Sequence, residues 1–159
     1  MAEENTLSLT LQRIIAAPRA LVFRLWTDGD HVRRWCAPSG FAVVEGSADL
    51  RPGGEWATTL RDPTGREWRL RGAYREVVPG QRLVFSHAWV EETGAVGPAT
   101  VVTIELTDEA GGRTRLVLRQ APFASVESRD GHAGGWGETL DSLAAYVAKL
   151  DTGQAPTLH

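Results

Sequence analysis

The chain has 159 residues, 42% hydrophobic and 23% charged, with a formal net charge of −3 and an isoelectric point near 5.8. That length predicts a single domain over 1–159, its core at about 7–150 and a flexible tail at 151–159. The mild acidity, with arginines scattered among acids, excludes a nucleic-acid or anionic-membrane surface as the expected partner.

The amino terminus lacks the basic and apolar regions of a signal peptide, and the longest apolar run spans only Leu143 to Ala148. A cytoplasmic protein without a membrane span is therefore expected. Cys36 is the only cysteine, so no disulfide framework and no thiolate metal cluster is expected.

Leu7, Leu9 and Leu11 alternate with polar residues and predict a first strand over Thr6–Ile15. Ala16-Ala17-Pro18 starts a helix with Pro18 at its first position, and Leu21, Val22, Leu25 and Trp26 form its apolar face. After Asp28-Gly29-Asp30, a second short helix carries Val32, Trp35 and Cys36 and stops at Pro38-Ser39-Gly40. Six strands follow: Phe41–Leu50, Glu55–Arg61, Arg66–Val77, Gln81–Val90, Ala99–Thr107 and Arg113–Gln120. Turn signals such as Arg51-Pro52-Gly53-Gly54 and Asp62-Pro63-Thr64-Gly65 separate them.

A last helix is predicted from about Ser125 to Leu150, with Trp136, Leu140, Leu143, Ala144, Val147 and Leu150 in one stripe anchored by Trp136. Gly131, Gly134, Gly135 and Gly137 each cost about 1 kcal/mol relative to alanine in a helix interior. They predict a kinked, pliable first half that gates a pocket. A lone long helix with one greasy face needs a curved sheet to lie against, and that pairing leaves room for a cavity.

Four stretches together resemble one family. They are Asp30-His31-Val32-Arg33-Arg34-Trp35 with Pro38-Ser39-Gly40-Phe41; Asp49-Leu50-Arg51-Pro52-Gly53-Gly54-Glu55-Trp56; Gly72-Ala73-Tyr74-Arg75-Glu76-Val77 with Arg82-Leu83-Val84-Phe85; and Gly135-Trp136 with Leu140, Leu143 and Tyr146. Their order is similar to that of the C-terminal domain of the activator of the 90-kDa heat-shock-protein ATPase, within the START-like (SRPBCC) superfamily. The resemblance implies an α+β helix-grip fold: a curved antiparallel sheet of about seven strands wrapped around a long C-terminal helix, with two short helices after strand 1. Members range over lipid carriers, cyclases and chaperone activators, so the fold does not choose a function. One departure is Cys36, where a second tryptophan usually follows Trp35.

Trp68, Trp89 and Trp136 are candidates for an aromatic ligand cage, with core packing the plainer account of each. Leu83, Phe85, His87 and Trp89 share one face of their strand by period two, which makes Phe85 and His87 pocket candidates; His87 is read either as a satisfied core histidine or as a ligand-orienting group. His132 and Arg129 extend the Trp136 stripe backward and form a candidate basic pair at the pocket mouth, a solvated helix end being the alternative. Tyr74 completes the candidate set.

The Arg51–Gly54 turn has neither a following helix nor a lysine, so it is not read as a phosphate loop. No zinc spacing and no serine elbow appears, and no cofactor, metal or catalytic residue is assigned. The leading expectation is a binder of a small apolar or aromatic molecule, as a monomer or homodimer. A cofactor-free cyclase or aromatase, with His87, Tyr74 and Arg129 moving protons, is the alternative. Chaperone ATPase activation or another protein-interaction role is the weaker one, because the eukaryotic activators carry an additional N-terminal domain.

Overall fold

The computed structural model describes residues 7–150; the expected tail at 151–159 and the start of the first strand at Thr6 lie outside them. The elements run β1 (Leu7–Ile15), α1 (Arg19–Thr27), α2 (Gly29–Trp35), β2 (Ala42–Ala48), β3 (Glu55–Arg61), β4 (Glu67–Val78), β5 (Arg82–Val90), β6 (Thr100–Glu109), β7 (Arg113–Phe123) and α3 (Val126–Lys149). The strands form one curved antiparallel sheet in the order β1-β7-β6-β5-β4-β3-β2, with α3 laid across it.

Local chemistry sets most boundaries. Pro18 is the cap of α1 and not its first helical residue, its extended backbone placing it just outside. The Asp28 carboxylate caps α2 by accepting from the Asp30 amide at 2.9 Å, and Ser125 caps α3 by accepting from the Ser128 amide at 3.0 Å. At the β3–β4 hairpin the Asp62 carboxylate accepts from the Thr64 and Arg66 amides and the Thr64 hydroxyl. Those hydrogen bonds, together with one from Trp68, hold its pKa down at about 2. Gly53, at φ +86°, closes the Arg51–Gly54 turn, and its amide donates to the Tyr74 carbonyl, fixing the turn to β4.

The sheet and helix divide into two regions of different density. Ile104, Leu106, Leu116 and Leu118 from β6 and β7 pack with Ile15, Val22 and Leu25 and with Leu140, Leu143 and Val147 of α3, all nearly or wholly inaccessible. Ala144, expected in the apolar stripe, is exposed; the buried positions of the second half of α3 follow the narrower set Leu140, Leu143, Val147 and Leu150. These aliphatics anchor the helix in place of Trp136, which is only half-buried. Nor is the first half of α3 broken: the helix is continuous from Val126 to Lys149. A Cβ added at Gly131 or Gly134 would meet nothing within 4 Å, so no close approach requires glycine at those two positions.

Candidate ligand-binding site

Where the β2–β5 half of the sheet curves away from the first half of α3, a cavity of about 960 Å³ remains. Its wall is built from α1 and α2, β2 to β5 and α3 as far as Thr139; none of β1, β6 and β7 contributes a described residue. The aliphatic packing of β6, β7 and the second half of α3 therefore fixes the frame, and the other half is left hollow.

Period-two alternation on β5 turns Leu83, Phe85, His87 and Trp89 toward the cavity, and all four line it, as do Tyr74 of β4 and His132 and Trp136 of α3. Two sequence candidates lie elsewhere. Trp68 sits at the hairpin end of β4, its indole N–H donating to Asp62 Oδ2 at 3.1 Å while the Arg66 guanidinium lies 3.9 Å from the ring centroid. It does not line the cavity, but backs its wall by packing against the Ala37, Leu60 and Leu70 cluster and by an edge contact with Trp89, centroids 6.0 Å apart. Arg129 is turned aside, its Nε donating to Asp130 Oδ1 at 3.1 Å. The basic pair at the mouth is thus absent: His132 faces inward and Arg129 does not line the cavity.

At the centre of the wall is His87, with the rings of Trp56, Trp89, Trp136 and His132 at 5.9, 5.9, 6.3 and 6.1 Å. Burial, with a smaller contribution from nearby His132, pushes its pKa down to about 4, so the imidazole is neutral at physiological pH. Behind it lies a fully buried polar residue, Gln120 of β7. The Trp136 indole, which can only donate, gives its N–H to Gln120 Oε1 at 2.7 Å. That orients the amide, so Nε2 donates to Thr100 Oγ1 at 2.8 Å and lies 3.4 Å from His87 Nδ1. Thr100 Oγ1 in turn donates to the His87 carbonyl at 3.2 Å.

A second indole fixes the other histidine. Trp89 Nε1 donates to His132 Nε2 at 3.0 Å, which places the His132 proton on Nδ1, where it donates to the Ser128 carbonyl at 2.7 Å. Both histidines are held by indole-dependent contacts, and neither belongs to a metal-holding cluster; among the described residues no group of three ligating side chains is so placed. His31, by contrast, is buried away from the cavity and ties α2 to α3 through its Nδ1 and the Tyr146 hydroxyl at 2.7 Å.

The remaining polar groups are few. Tyr74 is buried, and burial, then the nearby Cys36, raises its pKa. Burial likewise pushes the Cys36 thiol up to about 12, so no thiolate is available for nucleophilic or metal chemistry. Trp26 Nε1 is the one buried side-chain nitrogen or oxygen without a partner among the described residues. The charged residues of the lining, Glu45, Glu127, Glu138 and Arg33, are all exposed.

Sequence reasoning passed over Gln120, and it gave Trp26 and Trp56 to core packing although both line the cavity. Gln120 had a signal, a polar side chain in inward register with Leu116 and Leu118. Trp56 had one too, sharing the cavity-facing register of β3 with Thr58 and Leu60.

The model of the activator of Hsp90 ATPase homolog 1-like protein family matches residues 16–148. The chain belongs to that family. None of the curated proteins matches it. Among solved structures it is similar to a protein from Nitrosomonas europaea at 27% identity, covering 91% of this chain and 96% of that one with a TM-score of 0.78. The AHSA1 protein of Silicibacter pomeroyi is 26% identical, with coverages of 89% and 98% and a TM-score of 0.79. A protein from Rhizobium loti is 33% identical, with coverages of 88% and 96% and a TM-score of 0.70. The family has the START-like architecture, a fold that generally holds ligands. No described helix is long and apolar enough to cross a membrane.

Proposed function

We propose that this chain binds a small apolar or aromatic molecule in the cavity between β2–β5 and the first half of α3. The observation that carries this reading is the cavity itself. Its volume lies in the range of small-molecule sites, and its wall is mainly aromatic and aliphatic with a few placed polar groups. Trp26, Trp56, Trp89 and Trp136 all line it, so an aromatic probe entering it changes intrinsic tryptophan fluorescence saturably. A dissociation constant of roughly micromolar order is expected, since immobilisation offsets much of the burial term. A titration with naphthalene-type probes that shows no saturable change rejects the proposal.

Proton-transfer chemistry of the cyclase kind has His87 and Tyr74 at the cavity but not Arg129. His87 stays neutral and Tyr74 stays protonated at pH 7, a pair better suited to orienting a ligand than to exchanging protons with it. The family's name carries a third reading, stimulation of a 90-kDa heat-shock-protein ATPase, which a steady-state ATPase assay with that chaperone tests.

A further inference from the structure

We infer that the cavity selects an uncharged aromatic ligand carrying a hydrogen-bond acceptor, and that Gln120, outside the cavity wall, sets this preference by holding His87 as its Nε2–H tautomer. The inference rests on the proposed binding role and adds the ligand's chemistry to it.

The tautomer follows from a chain of one-way donors. An indole N–H cannot accept, so Trp136 commits Gln120 Oε1 to accepting and leaves Nε2 as the only end of the amide facing Thr100 and His87. An amide nitrogen carries two hydrogens and no acceptor. Thr100 Oγ1 takes one, and the other lies toward His87 Nδ1 at 3.4 Å, a contact that favours a bare Nδ1 over the ring's competing hydrogen bond to its own backbone carbonyl. The imidazole proton therefore resides on Nε2. That atom has no partner among the described residues, and it is not among their sealed, unpartnered atoms, so the cavity reaches it.

The wall's reachable unmatched groups are thus a one-way donor, His87 Nε2–H, and the Tyr74 hydroxyl, which can donate or accept and takes no partner among the described residues; the Trp26 N–H is sealed from the cavity. A carbonyl or ether oxygen satisfies such a donor, whereas a hydrocarbon leaves it unpaired and a ligand N–H would oppose it. A carboxylate is disfavoured for a separate reason. No cation lines the interior, and burying an unpaired anion costs several kcal/mol. The exposed charges of the lining add to this, Glu45, Glu127 and Glu138 outnumbering Arg33.

Three probes of one shape separate these terms: 2-acetylnaphthalene, 2-isopropenylnaphthalene and 2-naphthoate, titrated by tryptophan fluorescence. The ketone should bind about tenfold or more tightly than either of the others, the expected size of one satisfied neutral hydrogen bond. In His87→Phe the ketone and the hydrocarbon should bind alike. Nitrogen-15 correlation spectra of the wild-type histidine side chains at pH 7 should show His87 with a protonated Nε2 and a bare Nδ1. In Gln120→Glu, which replaces the donating amide with an accepting carboxylate, the proton should appear on Nδ1. If that variant fails to fold, the wild-type spectrum and the probe series still decide.

Equal binding of ketone and hydrocarbon to the wild type, tighter binding of naphthoate, or a wild-type His87 protonated on Nδ1 overturns the inference while leaving the binding role intact. A folded Gln120→Glu whose Nδ1 stays bare removes Gln120 from the account. Saturable binding by none of the three overturns the binding role and the inference together.

Discussion

Burial holds His87 neutral down to about pH 4, against 6.5 for the unperturbed side chain. Between those values the unfolded chain takes up a proton that the folded chain refuses, so folding loses stability as pH falls through that window. The contribution is fully present above pH 6.5 and gone by about pH 4. At 1.36 kcal/mol per pH unit it amounts to about 3 kcal/mol. Denaturant melts of wild type and His87→Phe at pH 7 and pH 4 isolate it: the wild type should lose about 3 kcal/mol more than the variant. An equal loss in both would mean that His87 charges freely in the folded state. The strand face and the apolar company of His87 are readable from Leu83, Phe85 and Trp89, but its tautomer is not. That depends on Gln120, Thr100 and Trp136, which meet His87 only when three strands and a helix are assembled. Arg129 fails as a candidate for the opposite reason, since helical spacing gives a face but not the reach of a long side chain that finds Asp130 nearby.

Helix α3 shows where propensity loses to packing. Four glycines in its first half argue for a break, yet the helix continues, held at its middle by Glu138 accepting from the Ser39 amide at 3.1 Å and farther along by Arg13 donating to Asp141 at 3.4 Å. With open space around its absent Cβ and an ordinary helical setting, Gly134 is replaceable: Gly134→Ala should raise stability by about 0.5–1 kcal/mol in chemical denaturation. A loss would show that the backbone there is not regular helix. Gly72 on β4 is the reverse case. A Cβ there would fall 1.8 Å from the Ser86 carbonyl oxygen and 2.7 Å from Trp56 Nε1. The β4–β5 ladder opens at this point, and the Trp56 indole donates to the Ser86 carbonyl at 3.1 Å while the Ser86 hydroxyl accepts from the Ala73 amide at 2.9 Å. Gly72→Ala should cost about 1–3 kcal/mol and displace Trp56 from the cavity wall, visible as a shift in tryptophan emission. An unchanged melt and spectrum would contradict the close approach. The strands themselves were legible because alternation and turn residues are local signals; the opening at Gly72 was not, because it is made by Trp56 and Ser86 from neighbouring strands.

Across the whole molecule, the cavity follows from an uneven distribution of bulk. Leucine and isoleucine on β6 and β7, with the leucines and Val147 of the second half of α3, close one side of the grip, while the aromatics of β3 to β5 reach the glycine-rich first half of α3 only at points such as the Trp89–His132 hydrogen bond and leave space between. The fold class was legible from the order of elements and the four family motifs. The division into a solid and a hollow half was not, because it depends on the curvature of the sheet and on which strands the helix touches. The most direct test is a crystal structure of the protein soaked with 2-acetylnaphthalene. The account predicts the ring between Trp56, Phe85 and Trp136, with its carbonyl oxygen about 3 Å from His87 Nε2. A cavity closed by its own side chains, with the probe absent or bound only on the outer surface, would contradict it.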